Sequence, residues 1–156
     1  MKILYTAMKI LIIEDDTNKA NNIRKVILEN INDICIDMRE SYQSGLKAIF
    51  NNVNYYDLLL LDMSIPTHDL SIGSQSAVRP MGGLDFLIEL KRKNVPIDVV
   101  VITQFKDFIG KTLNELNQEM SILFENYKKT ILYSQNESAW RIDLINFIKT
   151  YHICVK

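Results

Sequence analysis

The sequence predicts an α/β fold, a parallel sheet with helices on both faces. Three observations lead there. Continuous apolar runs recur at Lys9–Ile13, Leu58–Leu61 and Val99–Ile102, and runs without alternation suit strands buried on both sides. Between them lie segments whose apolar residues recur at spacings of three and four, the pattern of amphipathic helices. Strand and helix patterns alternate along the whole chain, and right-handed crossovers turn such a series into a parallel sheet.

Lys9-Ile-Leu-Ile-Ile13 is the first strand. Asp16 or Thr17 caps the helix behind it, whose inward set is Ile23, Val26, Ile27 and Ile31. Ile34-Cys-Ile-Asp-Met38 alternates more, which places this second strand nearer an edge. The helix from Ser44 to Phe50 turns Leu46, Ile49 and Phe50 inward, and Asn51-Asn-Val-Asn54 closes it. Leu58-Leu-Leu-Leu61 is the third strand, with Asp62 at its end. A loop rich in Ser, Gly and Pro follows, to Met81. The helix from Gly83 to Lys93 carries Leu84, Leu87, Ile88 and Leu90, and Asn94-Val-Pro96 stops it. Val99-Val-Val-Ile102 is the fourth strand, ended by Thr103. A helix from Thr112 to Tyr127 carries Leu113, Leu116, Met120, Leu123 and Phe124. Thr130-Ile-Leu-Tyr133 is the fifth strand; taking Ile122-Leu-Phe124 instead leaves 130–133 without a place and overextends the final loop. The last helix, Ser138 to Tyr151, sets Trp140, Leu144, Phe147 and Ile148 on one side.

With 156 residues the chain is expected to be one domain, 1–156, with residues 1–7 as an N-terminal extension. Only Ile153-Cys-Val-Lys156 follows the last helix, so no output domain is expected. A net charge of −1 lacks the basic footprint of a nucleic-acid binder. No apolar run approaches a membrane span or a signal peptide, so a cytoplasmic location is expected. Cys35 and Cys154 make neither a disulfide framework nor a metal motif, and no phosphate-binding P-loop occurs.

In open parallel sheets, ligands bind outside the carboxyl ends of the strands, where the strand order reverses. Glu14 and Asp15 end the first strand, Asp62 the third and Thr103 the fourth. In a 2-1-3-4-5 order the first and third strands are neighbours, so three carboxylates converge. Such crowding needs a cation, and oxygen ligands suit Mg²⁺. An aspartate beside Mg²⁺ can accept a phosphoryl group as an acyl phosphate, and Thr103 can hydrogen-bond that group. Taken singly, each acid is an ordinary cap or strand-end residue. The joint pattern at three separate strand ends, with Thr103 at the third of them, is harder to reach by accident. A haloacid-type phosphatase would want a second acid where Ser64 stands, and a flavin phosphate would be repelled by Glu14-Asp-Asp16.

Lys9-Ile-Leu-Ile-Ile-Glu-Asp-Asp16, Tyr56-Asp-Leu-Leu-Leu-Leu-Asp-Met-Ser-Ile-Pro66, Gly83-Leu-Asp-Phe-Leu87 and Val99-Val-Val-Ile-Thr103 together resemble the signature of response-regulator receiver domains. The resemblance spans nearly the whole chain and keeps the order of the motifs. It implies a flavodoxin-like (βα)5 three-layer sandwich, phosphorylation by a sensor histidine kinase or phosphotransfer protein, and a separate downstream effector. By position, Glu14, Asp15 and Asp62 match the metal ligands and Asp62 the phosphoacceptor. Ser64 matches the residue whose carbonyl binds the metal, and Thr103 matches the switch hydroxyl. The family also often dimerises through its fourth helix, fifth strand and fifth helix.

Four departures stand out. The lysine expected after the fifth strand is replaced by Ser134 or Gln135, and Lys128 and Lys129 precede that strand in this reading. Gln104 and Phe105 follow the switch threonine where a small residue is usual, which predicts slow attack by water on a phosphoryl group. The loop 67–81 is an insertion, in which His68 and Arg79 are candidate phosphate or partner contacts. The aromatic switch position falls on Tyr133 or Ile131. Two functions remain: a phosphoacceptor receiver, or a degenerate receiver acting as a phosphorylation-independent adaptor.

Overall fold

The computed structural model describes residues 6–69, 78–79, 81–104, 107–108 and 110–154. Five parallel strands form the sheet: β1 (Met8–Ile13), β2 (Ile34–Arg39), β3 (Leu58–Leu61), β4 (Asp98–Thr103) and β5 (Tyr127–Leu132). Their order is β2-β1-β3-β4-β5, the expected one. The helices are α1 (Thr17–Asn30), α2 (Tyr42–Asn51), α3 (Gly82–Arg92), α4 (Leu113–Leu123) and α5 (Ala139–Cys154).

The apolar strand runs are explained by two cores. Leu11, Ile13, Leu59, Leu61, Val99 and Val101 pack with Ile49 of α2, Phe86 and Leu90 of α3, and Leu116 and Met120 of α4. Ile10, Ile12, Leu58, Leu60, Val100 and Ile102 pack with Ile23 and Ile27 of α1, and with Trp140, Leu144 and Ile148 of α5. Alternate side chains thus enter opposite layers, and a central strand has no polar face to show. No helix among the described residues is long and apolar enough to cross a membrane.

Caps fix where helices begin. Asp16 accepts hydrogen bonds from the Asn18 and Lys19 N–H groups at the start of α1, while Ser41 with Ser44 and Thr112 with Glu115 form capping boxes at α2 and α4. The start of α3 instead needs a bare backbone. A Cβ on Gly83 would lie 2.6 Å from the Asp62 carbonyl oxygen and 2.8 Å from Met63 Cα, and the Gly83 N–H donates to the Met63 carbonyl at 2.9 Å. Packing of α3 therefore fixes the segment that carries Asp62.

Several expectations need correction. α4 stops at Leu123, and β5 starts at Tyr127 rather than Thr130. The Phe124/Tyr127 spacing suggests a longer helix, but the Val99 N–H donates to the Asn126 carbonyl at 2.9 Å and draws the chain into the sheet. Lys128 and Lys129 consequently lie inside β5, where they pair with Asp98 and Asp143. Phe50 is exposed rather than inward, and so are Ile88 at 50% and Leu123 at 50%. Phe86, edge-on to Tyr42, fills the place expected of Ile88. The inserted loop begins and ends in a short antiparallel pair, Ile65–Pro66 with Val78–Arg79; residues 70–77 and 80, the Arg79 side chain, Phe105 and residues 1–5 lie outside the described part.

Candidate functional site

Strand register builds the site. Ile13, Leu61 and Val101 are aligned across β1, β3 and β4. The next row toward the carboxyl rim is therefore Glu14, Asp62 and Ile102. The ladder continues into it: the Glu14 N–H donates to the Arg39 carbonyl at 3.0 Å and the Asp62 N–H to the Ile13 carbonyl at 3.1 Å. Ligand oxygens of Glu14, Asp15 and Asp62 all lie within 4.8 Å of one another. Glu14 and Asp62 are buried and Asp15 is exposed, so the cluster opens to solvent on the Asp15 side. The convergence expected of the acidic residues is present. Thr103, fully buried, ends β4 one residue beyond the row.

One side chain of the acidic rim escaped the sequence reading. Lys19, in the first turn of α1, is fully buried. Its Nζ lies 2.5 Å from Glu14 Oε2 and 3.1 Å from Asp62 Oδ1, and donates to the Ile102 carbonyl at 2.9 Å. An ammonium has three donors, and these three partners are the whole rim row. A signal existed: Lys19 stands on the apolar stripe of α1, four residues before Ile23, where an unpaired lysine would be costly. Tyr133, with its ring centroid 5.6 Å from Nζ, covers it, and Tyr133 in turn leans on Trp140 and accepts a hydrogen bond from Asn22. Ile131 and Tyr133, the two aromatic-switch candidates, are both buried in the α1–α5 core.

Among the described residues the charges do not balance: one ammonium faces two buried carboxylates. Burial, with the Asp62 charge second, pushes Glu14 up to about 8. Burial likewise raises Asp62, against the opposing pull of Lys19. A divalent cation would resolve the conflict. The donor set suits one: three carboxylates, each with an oxygen within 4.8 Å of the others, offer the hard oxygen ligands that Mg²⁺ takes. Glu14 is held by the Asp16 N–H on Oε1 and Lys19 on Oε2. In Asp62, Oδ1 accepts from the Met63 N–H and faces Lys19; Oδ2 has no hydrogen bond or ion pair among the described residues.

Ser64 is half-buried and His68 exposed just beyond the acid. Gln104 is exposed and borders, with Leu132, Tyr133, Ser134 and Gln135, a hollow of about 310 Å³.

No protein-family model matches the chain. It is 28% identical over 148 residues to the Detocs response regulatory protein DtcB of Enterobacter cloacae (strain JD6301), covering 90% of this chain and 98% of that protein. Among solved structures it is similar to the phosphorylated cyanobacterial phytochrome response regulator RcpA, with a TM-score of 0.67, 16% identity and 97% of each chain covered. The Francisella response regulator 1452 receiver domain aligns with a TM-score of 0.64 and 19% identity, over 96% of this chain and 99% of that one. The Mn²⁺-bound form of response regulator Rcp1 aligns with a TM-score of 0.63 and 17% identity, over 92% of each. The resemblance first drawn from four short motifs thus holds across the whole architecture, and the chain has the fold of the response-regulator receiver domains.

Proposed function

We propose that this chain is a phosphoacceptor receiver in two-component signalling, with Asp62 as the acceptor. The meeting of Glu14, Asp15 and Asp62 at one rim carries the reading. Mg²⁺, held by these acids and the Ser64 carbonyl, would supply charge neutralisation for the incoming phosphoryl group. Asp62 Oδ2 is the nucleophile, because Oδ1 is tied to the Met63 N–H and faces Lys19. Thr103 serves as the switch hydroxyl. The upstream partner is a sensor histidine kinase or phosphotransfer protein, the output is contact with a separate effector, and the setting is cytoplasmic.

Incubation with Mg²⁺ and acetyl phosphate, followed by intact mass, tests this. One phosphoryl adduct is expected, lost in Asp62→Asn. Its half-life is expected to shorten in Gln104→Ala, since that exposed side chain directly follows the switch threonine.

A second reading is favoured by one observation. Lys19 already bridges Glu14 and Asp62, which suits a degenerate receiver acting as a phosphorylation-independent adaptor. Mg²⁺ binding without any adduct would select it.

A further inference from the structure

We infer that Lys19 is the site's own counter-ion, delivered from α1 instead of from the end of β5, and that it passes from the acids to the phosphoryl group when Asp62 is modified. This rests on the phosphoacceptor reading and specifies the residue that replaces the missing lysine.

Three observations converge on it. After β5 the chain continues Tyr133-Ser134-Gln135, with no cation. The lysines of β5 itself are held elsewhere, Lys128 by Asp98 and Lys129 by Asp143. Lys19 is then the one ammonium among the described residues bound to the acidic row, and it is anchored from both ends. Its N–H is fixed by Asp16 at 3.1 Å, and its Nζ meets Glu14, Asp62 and the Ile102 carbonyl. Because Ile102 directly precedes Thr103, the same ammonium touches the backbone of the switch strand.

The charge count shows what it does. Glu14, Asp15 and Asp62 carry three negative charges, which Mg²⁺ reduces to one and Lys19 cancels. In the transfer, Asp62 Oδ2 bonds to phosphorus. The bond from phosphorus to the donor, acetate oxygen or imidazole nitrogen, breaks, and the leaving group keeps its electron pair. Asp62 becomes a neutral acyl group, but the phosphoryl brings two negative charges to the same place. Lys19 stays protonated and exchanges Asp62 Oδ1 for a phosphoryl oxygen. That exchange changes the pull on the Ile102 carbonyl and couples modification to β4.

In the unmodified site, however, Lys19 competes with the metal for Glu14 and Asp62. Its removal is therefore expected to act in opposite directions on two ligands, which a packing role would not do. The full chain and Lys19→Met are titrated with Mg²⁺ by calorimetry, and with beryllofluoride in saturating Mg²⁺ by fluorine NMR. Circular dichroism checks the fold. Lys19→Met is expected to bind Mg²⁺ roughly tenfold more tightly, since one close cation is gone, and beryllofluoride at least about tenfold more weakly. Adding Ser134→Lys is expected to restore beryllofluoride binding. Should Lys19→Met lose its fold, Lys19→Gln, which keeps a side-chain N–H donor without the charge, carries the same test. Equal weakening of both ligands, or no change in beryllofluoride binding, overturns the inference and leaves the phosphoacceptor reading standing. A native chain that takes neither acetyl phosphate nor beryllofluoride overturns both.

Discussion

Acidic residues gather at both ends of this sheet, and the two gatherings are built differently. At the carboxyl rim, Glu14 and Asp62 are buried together with a single ammonium. At the opposite rim stand Asp57 and Asp98, at the entries to β3 and β4. Asp57 Oδ2 accepts the Lys9 N–H at 2.8 Å. The Tyr151 hydroxyl donates between the Asp57 carbonyl, 2.9 Å away, and Asp98 Oδ2, 2.8 Å away, and Lys128 lies 3.4 Å from Asp98 Oδ1. Each of these carboxylates meets structural donors, so this rim is a set of pins between α5 and the sheet. At the other rim three carboxylates face one ammonium among the described residues, and Asp62 Oδ2 has no described bond. Burial of the charges, rather than a count of acids, separates the carboxyl-rim cluster from this brace: Glu14 and Asp62 are buried, whereas Asp57 and Asp98 are only half-buried.

The largest contrast between the rims is expected at Asp62, the proposed acceptor. Asp62→Asn is expected to abolish the phosphoryl adduct seen by intact mass, whereas Asp98→Asn leaves its yield unchanged. An equal loss in both would erase the distinction.

Next in size is the backbone support of the acid. Gly83→Ala forces a Cβ against the Asp62 carbonyl and Met63 Cα. Such overpacking costs ~1–3 kcal/mol, to be read from urea melts, and should lower the adduct yield as Asp62 shifts.

A smaller effect follows from the raised Glu14. Because the folded state holds this proton more tightly than the unfolded chain, the stability it contributes in metal-free protein is full below about 4.5 and lost as pH rises through about 8. Mg²⁺ needs the deprotonated acid, so its affinity, followed by calorimetry, should rise from pH 6 to 8. Glu14→Gln should flatten both trends. The smallest change belongs to the brace: Tyr151→Phe is expected to cost about 1 kcal/mol of stability and to leave phosphorylation untouched.

The two rims also differ in how far they could be read from residues alone. Glu14, Asp15 and Asp62 were legible because Glu14-Asp15 and Asp62 directly follow apolar runs, and the end of such a run in a parallel sheet marks the binding rim. Phe50 and Ile88 were misread because periodicity says which residues share a helix face but not how wide the buried stripe is. Phe86 is larger and closer to the sheet, and it took the inward place. The start of β5 was missed because Tyr127, Lys128 and Lys129 carry no strong strand signal of their own. Backbone bonding to β4 recruits them.

What the amino-acid order determined by itself is local or periodic: the buried strands, their alternation with helices, the Asp16 cap and the acids at two strand ends. What only the tertiary structure decided is which side chains share a point in space. The register of β1, β3 and β4 sets Glu14, Asp62 and Ile102 in one row, and the seating of α1 aims Lys19 at all three. A lysine next to a cap and a lysine locked under a sheet rim look alike in a sequence. They differ only in whether packing removes the water that would otherwise keep the charge apart from its partners.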